Sequence, residues 1–275
     1  QVHRRFSCDC ERLSEDEVRA LLPALKTGGD HVHEALLDHG SLKLDTDAML
    51  QGHIRDLRKH DGELMFGGRV ERIERQGKGW GVRTAKGVFE ASLVVNAAGA
   101  WADEVARLAG AETVGIDPRR RTVIAFDTSD DVRNWPFVKT VGEGFYLLPE
   151  GSSQLLASPQ DEGTSEPCDA APEEIDIATI AHRIEEASEL KVPRIAHSWA
   201  GLRSFAPDEL PVVGFAPDAP GFFWFAGQGG YGFQTSPALA EIGAALAMGR
   251  GLPARFGEQG IHPALLSPDR FSSAT

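Results

Sequence analysis

Four glycines stand within six residues at Gly227-Gln228-Gly229-Gly230-Tyr231-Gly232. Lacking Cβ atoms, they let the backbone approach a flat ligand closely. Ser236 and Pro237 follow, and a cap residue before a first-turn proline predicts a helix over 237–248 that ends at Gly249. The start of such a helix carries unpaired N–H groups and partial positive charge. That suits a ligand on which negative charge develops as it reacts. The same glycines suit an ordinary surface loop equally well, so the loop alone does not choose between the readings.

The elements that must position this loop are legible around it. A strand over 92–97 runs into Ala98-Gly99-Ala100 and a helix over 101–109 closed by Gly110, a strand, glycine turn and helix in succession. Segments 120–127, 137–141, 144–148 and 154–158 read as strands too closely spaced for helical crossovers, which predicts an antiparallel sheet. A helix is expected over 173–190, then strands over 194–202, 211–215 and 221–226. Towards the start, Ser14 and Glu17 form a capping box for a helix reaching Leu22, and Met49, Leu50, Ile54 and Leu57 give one apolar side to a helix over 47–60 stopped by Gly62. Val70, Ile73, Trp80 and Val82 mark short antiparallel strands punctuated by glycines.

Composition narrows the function classes. The chain has 275 residues, 41% of them hydrophobic, enough for one large core or two smaller ones. With 28 Lys+Arg against 41 Asp+Glu, the formal net charge of -13 repels nucleic acid and anionic membranes. The apolar runs 93–102 and 221–227 are far shorter than a membrane span. Cys8, Cys10 and Cys168 form neither a disulfide framework nor a zinc pair, which fits a cytoplasmic protein. His31 and His33 share one side of an extended segment, but no third ligand follows at a metal-site spacing, so no metal is expected.

The order of blocks then carries a resemblance. Ser198-Trp199-Ala200-Gly201-Leu202-Arg203-Ser204-Phe205, Pro207-Asp208, Pro211-Val212-Val213-Gly214, Gly221-Phe222-Phe223-Trp224 and the glycine loop together resemble the C-terminal flavin-binding block of the D-amino-acid oxidase-like superfamily. Val94-Val95-Asn96-Ala97-Ala98-Gly99-Ala100-Trp101-Ala102 resembles the strand and turn that pass the FAD there. Within the superfamily the chain is most similar to bacterial D-arginine dehydrogenase and its relatives, through Arg120-Arg121-Thr122, Trp135-Pro136, Phe145-Tyr146, Ser158-Pro159 and Leu266-Ser267-Pro268. Sarcosine, glycine and opine oxidases share much of this pattern.

The resemblance implies a mixed α/β fold: an FAD-binding Rossmann-like domain over 45–115 and 195–275, with an antiparallel-sheet substrate domain over 1–44 and 116–194. It implies non-covalent FAD, since Gly201 lies where some relatives carry a flavin-linked cysteine. Val70, Ala98, Gly99, Trp101, Gly201, Gly229, Gly230, Tyr231, Gly232, Phe233 and Gln234 are then the expected cofactor contacts. Arg121, Tyr146 and Arg203, with Gly230 and Tyr231, are expected to bind an amino-acid substrate. A guanidinium fork holds a carboxylate by two parallel hydrogen bonds, and a phenol adds a donor. The implied reaction is hydride transfer from the α-carbon to flavin N5, giving an imine that hydrolyses to a 2-oxo acid and ammonia. No side chain is assigned a catalytic proton transfer.

No G-x-G-x-x-G turn occurs near Gln1, although dinucleotide binding needs one after a strand. The chain is therefore expected to start after the pyrophosphate-binding segment of the family pattern. The remaining partners are an electron acceptor or a second subunit carrying that segment, and apolar sheet surface is expected to be exposed where the segment would lie. The chain as written would then be either part of an amino-acid dehydrogenase or a non-catalytic fragment.

Overall fold

The computed structural model describes residues 9–272 apart from Glu143. The fold is mixed α/β, and the chain divides into two compact units. One holds the described residues up to Asp45 with Arg120–Gly163 and Asp169–Gly201; the other holds Thr46–Arg119, Thr164–Cys168 and the described residues from Leu202 onwards. Among the described residues no helix is long and apolar enough to cross a membrane, and no group of three metal-ligating side chains occurs. Cys8 lies outside the described residues.

In the first unit, β1 (Cys10–Leu13) and β2 (Ala35–Asp38) form an antiparallel pair that the sequence reading missed, because four-residue strands give little periodicity. Between them, α1 (Glu15–Leu21) begins at the expected box: Ser14 N–H and Oγ both donate to Glu17 Oε2, at 2.8 and 2.6 Å. The hydroxyl bond is the larger cause that holds the Glu17 carboxyl below its ordinary range.

The main sheet of this unit sets β7 (Asp117–Asp127) beside β10 (Gln154–Ser158), then β9 (Tyr146–Glu150) and β8 (Val138–Lys139), all antiparallel. Alternate residues Ile124 and Phe126, Leu155 and Ala157 point to one face and are buried. That period of two is what lets a sheet cover one side with helix. The helix is α4 (Glu174–Ala187), and it contributes Ile180 and Ile184 one turn apart. β8 is shorter than the predicted 137–141 and β9 later than the predicted 144–148, and Gly142, at φ +81°, lies in the connection between them as the prediction also had it.

In the second unit, α2 (Thr46–Lys59) buries none of its residues, and Leu50 and Leu57 on its apolar side are 54% and 43% exposed. An antiparallel meander follows: β3 (Val70–Gln76), β4 (Gly79–Thr84) and β5 (Gly87–Ala91). The second sheet has the order β12 (Val212–Phe215), β13 (Phe222–Ala226), β6 (Val94–Asn96). β12 runs antiparallel to β13, whereas β13 and β6 are parallel, with Phe222, Phe223 and Trp224 opposite Val94, Val95 and Asn96.

Both faces of this sheet are covered, as parallel pairing requires. Phe222 and Trp224 pack with Ala102 and Ala106 of α3 (Ala102–Ala109) and with Ile73 and Trp80 of the meander. On the opposite face, Val213 and Phe223 pack with Leu239 and Ile242 of α5 (Gly232–Ala247) and with Phe256 and Leu266 of the short helices α6 (Ala254–Glu258) and α7 (Pro263–Leu266). α5 lies so close to β13 that a Cβ on Gly243 would stand 2.6 Å from the Phe225 ring.

α5 starts at Gly232, five residues before the predicted first position, and Pro237 lies inside it. Proline has no N–H to give the Phe233 carbonyl one turn back. The Ser236 hydroxyl makes that bond instead, at 2.9 Å, and Thr235 Oγ1 likewise donates to the Tyr231 carbonyl at 2.8 Å. Ser236 is thus a repair of the proline gap and not a cap. Tyr231 occupies the N-cap position.

Candidate functional site

The second unit places two similar turns side by side. β6 and β13 are parallel neighbours, so both chains leave the sheet at the same edge. After β6 comes the tight turn Gly99–Trp101 and then α3; after β13 comes the tight turn Gly229–Tyr231 and then α5. The leading glycines, Gly99 and Gly229, adopt left-handed backbone at φ +57° and +56°. Two helix starts therefore face the carboxyl edge of a parallel pair, where open α/β sheets bind ligands. First-turn N–H groups have no carbonyl below them and stabilise anionic ligand groups.

Gly229 is constrained by the protein itself. A Cβ there would lie 2.8 Å from the Phe205 ring, and Phe205 also bridges to Gln228. The Phe205 ring carries two cations, Arg119 at 4.3 Å and Arg203 at 5.3 Å from its centroid. β11 (Ile195–Phe205) supplies Arg203 from its end, and a Cβ on Gly230 would stand 3.0 Å from Arg203 Nη1. The guanidinium thus lies against the backbone of the glycine turn. Arg203, Gly229, Gly230 and Tyr231 are consequently close neighbours, with Gly232, Phe233 and Gln234 continuing as the first turn of α5. Tyr231 and Phe233 are 62% and 53% exposed, so neither belongs to the apolar core of this unit.

Val70, Ala98 and Trp101 meet in an open groove of about 830 Å³. The pairing of β3 with β4 shifts register between Val70 and Arg72, where the start of β3 lines the groove. Val105 and Leu108 complete the apolar wall. The sequence reading missed these two, although Trp101, Val105 and Leu108 recur at helical spacing and share a face of the helix start and α3.

The first unit holds the other expected substrate residues. Arg121 donates from Nε to the Asp161 carbonyl at 3.0 Å and from Nη2 to Glu162 Oε1 at 3.2 Å. Asp161 also accepts from the Thr122 N–H at 2.8 Å, and Arg120 pairs with Glu173 and Asp176 at 2.5 and 3.2 Å. Arg121 therefore sits in a network of acids. Tyr146 packs its ring 5.7 Å from that of Phe137. Gly201 has nothing within 4 Å of where a Cβ would be, so no protein contact demands glycine there.

The residues present fit part of a dinucleotide site, without the pyrophosphate-binding turn. The twin turns offer backbone N–H groups, and the groove offers an apolar wall bounded by Ala98 and Trp101. Comparison with known proteins agrees. Hydrogen cyanide synthase subunit HcnC of Pseudomonas aeruginosa is 26% identical over 226 residues, 82% of this chain and 52% of that protein. Glycine oxidase of Pseudomonas putida is 27% identical over 173 residues, 62% of this chain and 45% of that protein. The chain thus spans about half the length of these curated relatives. Its fold is that of L-proline dehydrogenase from P. horikoshii, with a TM-score of 0.80 at 20% identity over 98% of this chain and 71% of the other. The family described as "DAO: FAD dependent oxidoreductase" matches residues 1–246, and the chain belongs to it.

Proposed function

We propose that this chain carries the substrate-anchoring part of an FAD-dependent enzyme that oxidises the α C–N bond of an amino acid. The observation that carries the reading is Arg203 lying against the Gly230 backbone, beside two helix starts at one sheet edge. A planar guanidinium fork held there presents parallel donors to a carboxylate. Arg203 is the principal anchor in this reading, and Arg121 and Tyr146 add a second cation and a phenolic donor. The relatives named glycine oxidase and L-proline dehydrogenase support an amino acid as the substrate class.

When bound, FAD supplies the acceptor for the hydride removed from the α-carbon. The turns at Ala98–Trp101 and Gly229–Gln234, with Val70, hold it without a covalent link. Arg203 fixes the substrate carboxylate, and with it the direction of the α C–H bond. The oxidised product is an imine that hydrolyses after release to a 2-oxo acid and ammonia. As the finer assignment we propose a D-amino-acid dehydrogenase of the D-arginine type, working in the cytoplasm with a separate electron acceptor.

The test is the visible spectrum of the polypeptide expressed from its whole reading frame, with FAD, followed by anaerobic addition of D-arginine, other D-amino acids or glycine. Bleaching by D-arginine supports the finer assignment. Bleaching by glycine alone moves the substrate to the glycine oxidase type, and bound flavin that no amino acid reduces removes the substrate class. A second reading, a subunit that completes its nucleotide site with another polypeptide, is favoured by the relative named as a synthase subunit. It predicts flavin uptake only when a partner is co-expressed.

A further inference from the structure

Asn96 ends β6 and is 1% exposed, among the few buried polar side chains of the described residues. A buried amide is costly unless its donor and acceptor are both used. Here both are used on the same turn. Nδ2 donates to the Ala102 carbonyl at 2.8 Å, and Oδ1 accepts from the Ala98 N–H at 3.3 Å. Those partners also settle the amide's orientation, since a carbonyl must face the NH₂ and an N–H must face the oxygen.

One side chain therefore clasps both ends of the segment from Ala98 to Ala102. Within it, Gly99 takes left-handed backbone, and the Trp101 N–H donates to the Ala98 carbonyl at 3.0 Å. Ala98 and Trp101 line the groove, whereas Asn96 lies behind them in the sheet, in register with the fully buried Trp224. We propose that Asn96 is a positioning residue for FAD: it pre-sets the Ala98–Trp101 turn so that one wall of the groove is formed before the cofactor arrives. The proposal rests on the FAD reading of that groove.

The chemistry of the clasp picks the variants. Asn96→Asp keeps the size and the acceptor for Ala98 but sets a carboxylate oxygen against the Ala102 carbonyl. Asn96→Ser puts a hydroxyl in place of the amide and is too short to span both partners. Both are made in the polypeptide expressed from its whole reading frame. The apoprotein is titrated with FAD, and amide exchange of residues 96–103 is followed without cofactor. A faster-exchanging turn, together with an FAD dissociation constant raised at least tenfold in both variants, is the expected result. Exchange in the β7–β10 sheet should stay unchanged, which separates positioning from general loss of structure.

Should neither variant fold, exchange in the unmodified protein decides. A slow Ala98 amide before FAD is added supports pre-setting. An amide that exchanges as in an open loop and slows only after FAD binds overturns it. FAD affinity within twofold of the parent in a folded Asn96→Asp protein overturns it too, while leaving the flavoenzyme reading intact. An unmodified protein that takes up no FAD removes both.

Discussion

Gly99 and Gly229 adopt nearly the same left-handed backbone, φ +57° and +56°, at the carboxyl ends of two parallel neighbouring strands. Their surroundings differ. A Cβ on Gly99 would meet only Ser204 Oγ at 3.9 Å, whereas one on Gly229 would lie 2.8 Å from the Phe205 ring. Gly99→Ala should therefore cost only the left-handed strain, about 1–2 kcal/mol. Gly229→Ala should add overpacking of about 1–3 kcal/mol. Urea unfolding of the two variants checks the order, and equal losses would mean that the Phe205 contact is not limiting.

Arg203 tests the anchor. Arg203→Lys keeps the charge but loses the fork, so a carboxylate substrate should lose about 1.5–3 kcal/mol of binding, a fall in kcat/KM of roughly 10- to 150-fold. The loss should be as large for glycine as for longer amino acids, because the carboxylate is common to all. A loss that depends on the side chain would assign Arg203 to a different part of the substrate.

Arg121 separates two roles by its partners. Its bonds to the Asp161 carbonyl and to Glu162 tie β7 to the segment after β10, and a lysine cannot make both. Arg121→Lys should lower stability by about 1 kcal/mol, the size of a partly solvated charged bond. If Arg121 also anchors the carboxylate, KM rises together with the fall in Tm. Glu162→Gln should reproduce the stability loss without the rise in KM; a matching rise would make Arg121 structural only.

Much of this was readable in the sequence because period and punctuation agree locally. Ile124 and Phe126 alternate against Leu155 and Ala157, and Gly110 sits at φ +68° where α3 stops. The glycine turn and Arg203 were legible as residue types, but their closeness comes from the end of β11 meeting the segment after β13 through Phe205 and Gln228, a pairing that no local pattern in the sequence announces. The role of Asn96 was invisible for a related reason: only the folded turn brings Ala98 and Ala102 to the same amide. At α5 the local rule misled, since Ser before Pro reads as a helix start yet here lies within the helix.

That exception gives a double-mutant cycle. Ser236→Ala in the natural background leaves the Phe233 carbonyl without the hydroxyl donor and should cost about 0.5 kcal/mol, at the low end for an exposed hydrogen bond. Pro237→Ala restores the backbone N–H to that carbonyl. In that background Ser236→Ala should cost almost nothing, so the two changes couple. Additive effects would show that Ser236 contributes in some other way.

Asp208 and Arg270 give the pH dependence. Arg270 Nε donates to Asp208 Oδ2 at 2.7 Å and Nη2 to Oδ1 at 3.1 Å, and Nη2 also reaches the Leu210 carbonyl at 2.9 Å. This ties the turn Pro268–Phe271 to the segment before β12. The hydrogen bond from Arg270 is the largest cause holding the Asp208 carboxyl below its ordinary range, against a smaller desolvation that raises it. A depressed folded-state pKa stabilises above the unfolded value, near pH 4, and the contribution disappears as pH falls through the folded value. Asp208→Asn should therefore lower stability at pH 7 by about 1 kcal/mol, less than a buried charged bond because Asp208 is partly solvated. In unfolding curves between pH 7 and pH 2, the gap between parent and variant should be constant down to about pH 4 and then close. A gap that persists to the lowest pH would place the loss in packing of the turn and not in the charge.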